Sequence, residues 1–225
     1  MPRDYKKRKH APKRKLIRRK RMGKRVNVNR ALQPIAQRYI CKMKYSDVVG
    51  TDTFGMFQYN LNSIFDPNRT GTGHQPYGHD TLQTLYNRYR VISCGWRITA
   101  LRGTGVDAGS APIVIAAMPA NEVLSFATTA EIIENPRSKY ITQNPGSTAL
   151  VLKGKSYLPS LVGRSKSQYM ADDRYQAAFG ASPNELAILN VYSGNTSGNA
   201  VGTTVFHIVL EYTVEVFDVK HLGQS

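Results

Sequence analysis

Two histidines and a carboxylate fall within one short stretch, Gly73-His74-Gln75-Pro76-Tyr77-Gly78-His79-Asp80. Imidazole and carboxylate together suit metal ligation or general acid–base work. The stretch is rich in Gly and interrupted by Pro76, so no helix periodicity brings the two imidazoles onto one face. The chain also has no His-Glu-x-x-His, Walker, dinucleotide-binding or nucleophile-elbow pattern. The glycines and Pro76 are better read as fixing a loop shape, with His74, His79 and Asp80 hydrogen-bonding within it or across a contact. Asp172, Asp173 and Glu185 form a second carboxylate group that invites a divalent ion between subunits; a solvated loop is the safer account. Neither set specifies a catalyst. The chain therefore reads as non-enzymatic, with no metal and no cofactor.

The strongest electrostatic signal lies elsewhere. Residues 1–44 hold eighteen of the chain's 31 Lys and Arg and a single acid, Asp4, a formal charge of +17. Residues 45–225 hold thirteen basic and fourteen acidic side chains, a net of −1, and so read as a body without a basic face of its own. Lys6-Lys7-Arg8-Lys9, Lys13-Arg14-Lys15 and Arg18-Arg19-Lys20-Arg21 form three blocks separated by short spacers. Such a run buries too little apolar surface to offset its ordering entropy, and its like charges repel, so disorder is expected in the free chain. A polyanion removes that repulsion, and counterion release then supplies sequence-independent affinity. No zinc-finger spacing, recognition helix or RNA-binding signature accompanies the charge, which favours phosphate neutralisation over base reading. The same clusters suit nuclear import. The division expected is an arm over residues 1–37 and one domain over residues 38–225.

The elements of that domain follow from alternation and turn chemistry. Strands are expected over residues 38–46, 54–64, 90–101, 112–118, 136–141, 147–157, 185–192 and 204–219. The last is the clearest, with Phe206, Ile208, Leu210, Tyr212, Val214 and Val216 on one face. Its other face has His207, Glu211, Thr213 and Glu215 mixed with Val205, Val209 and Phe217. Residues 112–118 are almost wholly apolar, which predicts burial on both faces. Residues 82–89 suggest a turn or two of helix, residues 128–135 a short helix, and residues 158–180 a polar, irregular segment. Trp96 reads as a core anchor with its ring nitrogen paired. Cys41 and Cys94 read as small buried residues, forming neither a metal motif nor a disulfide framework. The thirteen tyrosines suit subunit interfaces, and core positions explain many of them equally well. About eight strands, no long helix and no βαβ rhythm favour an antiparallel two-sheet sandwich or jelly roll. No segment has the apolar length of a membrane span or secretory signal, so membrane insertion is not expected and the protein reads as made and used inside a cell.

Phe65-Asp66-Pro67, the stretch from Gly73 to Asp80, and Leu85-Tyr86-Asn87-Arg88-Tyr89-Arg90-Val91 resemble the capsid proteins of circovirus-like small circular single-stranded DNA viruses, the CRESS DNA virus group. The basic arm, Trp96-Arg97-Ile98-Thr99-Ala100 and the closing strand are similar too. The resemblance implies an all-β fold, a single eight-stranded antiparallel jelly roll of viral capsid type with a disordered basic arm. It implies a structural protein that partners itself, sixty copies forming a T=1 icosahedral shell around a circular single-stranded DNA genome. It also implies a virion protein that passes through the host nucleus by way of the import machinery and meets a host receptor. On this reading Arg3, Lys6, Lys7, Arg8, Lys9, Lys13, Arg14, Lys15, Arg18, Arg19, Lys20, Arg21, Lys24 and Arg25 neutralise DNA and direct import, while the loop from Gly73 to Asp80 serves structure or interface. Sixty arms of +17 match on the order of a thousand phosphates. Three other readings compete: a coat protein of a small RNA virus, a cellular nucleic-acid-binding protein with a basic tail and, third, an enzyme acting through the His74 and His79 loop.

Overall fold

A computed structural model describes residues 35–51, 55–102, 112–144, 149–195 and 204–221. The candidate cations of the arm, all within residues 1–34, lie outside the described residues.

Among the described residues the strands are β1 (Arg38–Thr51), β2 (Gly55–Asn60), β3 (Tyr86–Arg102), β4 (Ile113–Ala120), β5 (Lys139–Gln143), β6 (Leu150–Tyr157), β7 (Gln176–Ala178), β8 (Ile188–Asn195) and β9 (Thr204–Val219). One sheet runs β1-β9-β3-β6, with β7 also paired to β3; the other runs β2-β8-β4-β5. Every ladder is antiparallel. With β7 set aside, the first strand pairs with the last, the second with the second-last, the third with the third-last, and the two middle strands with each other. The chain is thus one long antiparallel ribbon wound into a sandwich. The β3–β9 and β4–β8 ladders join its turns into two sheets. That winding is a jelly roll.

β9 contributes to the core by alternation. Phe206, Ile208, Leu210, Tyr212, Val214 and Val216 of β9 are fully buried, while His207 and Glu211 between them are exposed. β4 is buried on both sides, as its unbroken apolar run requires. Ile113, Ile115 and Ala117 join the main core, whereas Ala116 and Met118 pack with Tyr192 and Ile132 on the opposite side. Ile132 belongs to α2 (Thr129–Glu134), whose N-cap Thr128 accepts the Glu131 amide. The connection carrying α2 therefore roofs the outer face of the β2-β8-β4-β5 sheet. Eight of the thirteen tyrosines are buried, so most serve the core rather than an interface. Their hydroxyls find partners: Tyr212 donates to the Asn60 carbonyl at 2.7 Å, Tyr169 to that of Val91 at 2.9 Å, and Tyr89 to that of Ala181 at 2.8 Å. Burial pushes the Tyr89 phenol up to about 12 and Tyr212 well above its ordinary value. Both thus stay protonated donors at neutral pH.

Several local expectations need correction. The helix expected over residues 82–89 is α1 (His79–Leu85), and β3 begins at Tyr86. Pairing from Tyr86 to Val91 with β9 extends the chain where propensity alone allows another turn. Residues 158–180 are not irregular: they form α3 (Leu158–Leu161), α4 (Lys166–Ala171), a 3₁₀ turn (Asp173–Tyr175) and β7. α4 starts on a capping box between Ser165 and Gln168. Trp96 is buried, but its Nε1 has no hydrogen-bond partner among the described residues. The ring is held by shape instead. It covers Gly154, where any Cβ would collide with the indole, and the Lys139 ammonium lies 5.6 Å from its centroid. Cys94 is buried, Cys41 is partly exposed, and both are free thiols.

Candidate functional site

The loop from Gly73 to Asp80 is fixed at both ends. Its first glycine lies against β1 and the following turn: a Cβ at Gly73 would stand 2.8 Å from Tyr45 Oη and 2.9 Å from Asn68 Cβ. His74 then sets its ring edge-on to Tyr45, 4.8 Å between centroids. At the far end Gly78 takes φ +87°, a left-handed conformation suited to glycine, and its carbonyl accepts the Leu82 amide. The His79 amide closes a turn onto the Pro76 carbonyl at 3.0 Å. Pro76 and His79 are buried, Gln75 is half-buried, and Tyr77 is 97% exposed.

This geometry separates the two imidazoles. His74 rests on Tyr45, whereas His79 packs on Phe179 at 5.3 Å and Phe65 at 6.5 Å between ring centroids. His79 Nδ1 lies 3.1 Å from Asp80 Oδ1, and that carboxylate is otherwise open to solvent. Among the described residues no group of three or more His, Cys, Asp and Glu could hold a metal ion. The loop is a shaped projection anchored by its histidines. We expect Gly73→Ala to cost about 1–3 kcal/mol through overpacking against Tyr45 and Asn68. Thermal denaturation checks this, and an unchanged melting temperature would show that the loop yields freely.

The second carboxylate group carries its own cation. Arg174 Nη2 donates to Asp172 Oδ2 at 2.7 Å, and Arg174 Nη1 lies 3.5 Å from Glu185 Oε1. The Arg174 side-chain and backbone hydrogen bonds hold the Asp172 carboxyl down at about 2. Asp173 instead accepts from Gln176 Nε2. A guanidinium therefore occupies the place a divalent ion would take between Asp172 and Glu185.

The expectation of a body without a basic face is overturned by the sheet β1-β9-β3-β6. Arg38, Lys42 and Lys44, counted above with the N-terminal charge, lie on β1. On the side of this sheet away from the core, register places Lys44, Glu211, Gly95 and Lys155 in one transverse row across the four strands. The next row is Ser46, Val209, Arg97 and Lys153, and on the other side Lys42 lies level with Thr213 and Ser93. Lys42, Lys44, Arg97, Lys153 and Lys155 are all exposed. The carboxylate among them, Glu211, is engaged by Lys44 at 3.6 Å. Lys44, Gly95, Arg97, Lys153 and Glu211 border an open groove of about 470 Å³. Farther along the sheet Glu215 sits between Arg38 at 3.5 Å and Arg90 at 3.8 Å. The pairs Lys42/Lys44 and Lys153/Lys155 are legible as alternating cations on two strands. That β1 and β6 share one sheet is a fact of topology and has no local signal.

No family model matches the chain, and no curated protein sequence matches it. Solved structures similar to it include Desmodium yellow mottle tymovirus, 10% identical over 86% of this chain and 95% of that one, with a TM-score of 0.45. A 60-mer of the BFDV capsid protein is 10% identical over 85% of this chain and 100% of that one, with a TM-score of 0.43. Tobacco necrosis virus is 11% identical over 83% of this chain and 85% of that one, with a TM-score of 0.46. Among the described residues no helix is long and apolar enough to cross a membrane.

Proposed function

We propose that this chain is the structural subunit of a viral capsid, assembling with copies of itself into a closed shell around a nucleic-acid genome. One observation carries the reading: a closed jelly-roll body follows an N-terminal segment that concentrates the protein's excess charge. Residues 1–34 hold fifteen Lys and Arg against one acid, while residues 35–225 hold sixteen against fourteen. The body supplies rigid sheets and projecting loops such as Gly73 to Asp80 for self-association. The arm supplies phosphate neutralisation. Assembly and packaging are coupled because charged arms repel one another as subunits gather, and a polyanion that binds the assembled state removes that penalty.

The finer form of the proposal is a T=1 shell of sixty subunits on circular single-stranded DNA, with the arm also directing nuclear import. An RNA genome in a shell of the same architecture is the second reading, since the arm's charge recognises phosphate and not sugar. Electron microscopy of the purified protein, with nuclease digestion of the material absorbing in the ultraviolet, separates these. Uniform closed particles holding DNase-sensitive, RNase-resistant material are expected. RNA-filled particles would keep the capsid and replace the genome type. A small monodisperse species at every salt concentration would overturn the capsid and favour a cellular nucleic-acid-binding protein.

A further inference from the structure

The two broad faces of the sandwich differ in a way the arm does not explain. The outer face of the β2-β8-β4-β5 sheet is roofed by the connection carrying α2 and buries Ala116, Met118 and Tyr192. The outer face of the β1-β9-β3-β6 sheet has no such roof over Lys42, Lys44, Arg97, Lys153 and Lys155, and of the five only Lys44 has an ion-pair partner among the described residues. Purely solvating charge on a strand face is normally mixed in sign, because like charges on neighbouring strands repel. In these three rows Glu211 is the one carboxylate against five cations, and Glu215, farther along the face, is closed between Arg38 and Arg90.

We propose that this sheet face is a second binding surface for single-stranded nucleic acid, built into the folded body. The inference deepens the capsid reading, which supplies the nucleic acid, and rests on the face alone for its chemistry. Lys42 and Lys44, like Lys153 and Lys155, are two residues apart on one strand and so project about 7 Å apart on the same side. The β1 and β6 rows are separated by three strand spacings, about 14 Å. Arg97 lies between them, and its planar guanidinium can grip a phosphate with two parallel donors. Gly95 has no side chain to fill the groove that these residues border. A flexible phosphodiester chain crossing the strands can therefore meet a cation from either edge and one at the centre. A compact acidic protein gains less from so shallow a trough. In sequence the arm runs directly into β1, the strand that carries Lys42 and Lys44.

The test uses the full chain carrying Lys42→Gln, Lys44→Gln, Lys153→Gln and Lys155→Gln together. A charge-matched control carries Arg69→Gln, Arg137→Gln, Arg164→Gln and Lys166→Gln, four exposed cations off this face. Affinities for oligo(dT) and oligo(U) are measured across a salt series. If each lysine meets one phosphate, the slope of log affinity against log salt falls by about 3 in the face variant, on both polymers alike, and stays at the wild-type value in the control. Because all four lysines are exposed, circular dichroism and melting temperature should match the wild type. A wild-type slope in the face variant overturns the proposal, as does an equal fall in the control, which would reduce the effect to net charge. A fall on one polymer alone overturns the phosphate chemistry. Microscopy of the same wild-type preparation keeps the two readings apart. Closed shells with an unchanged slope sink the face only, whereas absent shells with the expected slope sink the capsid only.

Discussion

Removing residues 1–30 is expected to leave the sandwich folded and to abolish nucleic-acid packaging. The deletion takes fifteen Lys and Arg and one acid out of the chain. Among the described residues the buried core runs from Met43 to Val216, all of it later in sequence than the deleted stretch. If each deleted cation meets one phosphate of a single strand, the salt slope falls by about 10, several-fold more than the sheet face alone provides. At moderate salt the loss is then many orders of magnitude, and the remaining face cannot retain a genome. The readout is the nuclease-protected nucleic acid per particle after purification. Far-ultraviolet circular dichroism of the truncated protein checks that the body survives. Particles of the truncated protein with unaltered nucleic-acid content would defeat the assignment of packaging to the arm. Empty shells would show that the sheets and loops associate without a polyanion, and would separate assembly from packaging.

The same contrast explains which parts of this protein are legible in its sequence. The eight strands of the ribbon announce themselves because each has a simple relation to the core. β9 alternates between fully buried and more open side chains as far as Val214, and β4 is apolar throughout because both its faces are covered. β7 has no such signal. Gln176, Ala177 and Ala178 are weak strand formers, and they extend only because β3 runs beyond the end of β6 and offers Arg88, Tyr89 and Arg90 for pairing. α4 is a different kind of omission, since Ser165 and Gln168 at capping-box spacing are a local signal in plain view. The basic face has no signature in charge summed along the chain. A charge sum over residues 45–225 excludes Lys42 and Lys44 and averages Lys153 and Lys155 against acids on other surfaces. Only the order β1-β9-β3-β6 brings the four lysines onto one plane. That face depends on which strands are neighbours, and neighbour order is the quantity that local periodicity does not encode.

Glu215→Gln is expected to destabilise the body by about 3–5 kcal/mol, the cost of leaving a buried charge without its partner. On alternation Glu215 belongs to the solvent side of β9, yet its side chain is only 8% exposed. Arg38 and Arg90 close over it from the two neighbouring strands, and both guanidiniums also approach the Phe217 ring, at 5.8 and 5.4 Å from its centroid. The two arginines are not equivalent. Arg38 is 69% exposed and loses little when the carboxylate goes, because water screens it. Arg90 is 4% exposed, donates Nη2 to Gln176 Oε1 at 3.0 Å, and has no partner for Nε among the described residues. Burial lowers its pKa and the Glu215 charge raises it, so removing the carboxylate leaves the desolvation cost uncompensated. Glu215 Oε2 approaches Arg90 at 3.8 Å, too far for a hydrogen bond, and so the lost term is Coulombic. For a domain of this size each kcal/mol lowers the melting temperature by about 2–4 °C, which places the variant roughly 6–20 °C below wild type. A melt within about 2 °C of wild type would show that the pair is dispensable. Glu215→Leu combined with Arg90→Met should recover most of the loss, since replacing both buried charges by apolar groups of similar size removes the desolvation cost together with the attraction. Recovery in the double variant would identify an isolated buried cation, and not lost packing, as the cause of the single variant's instability.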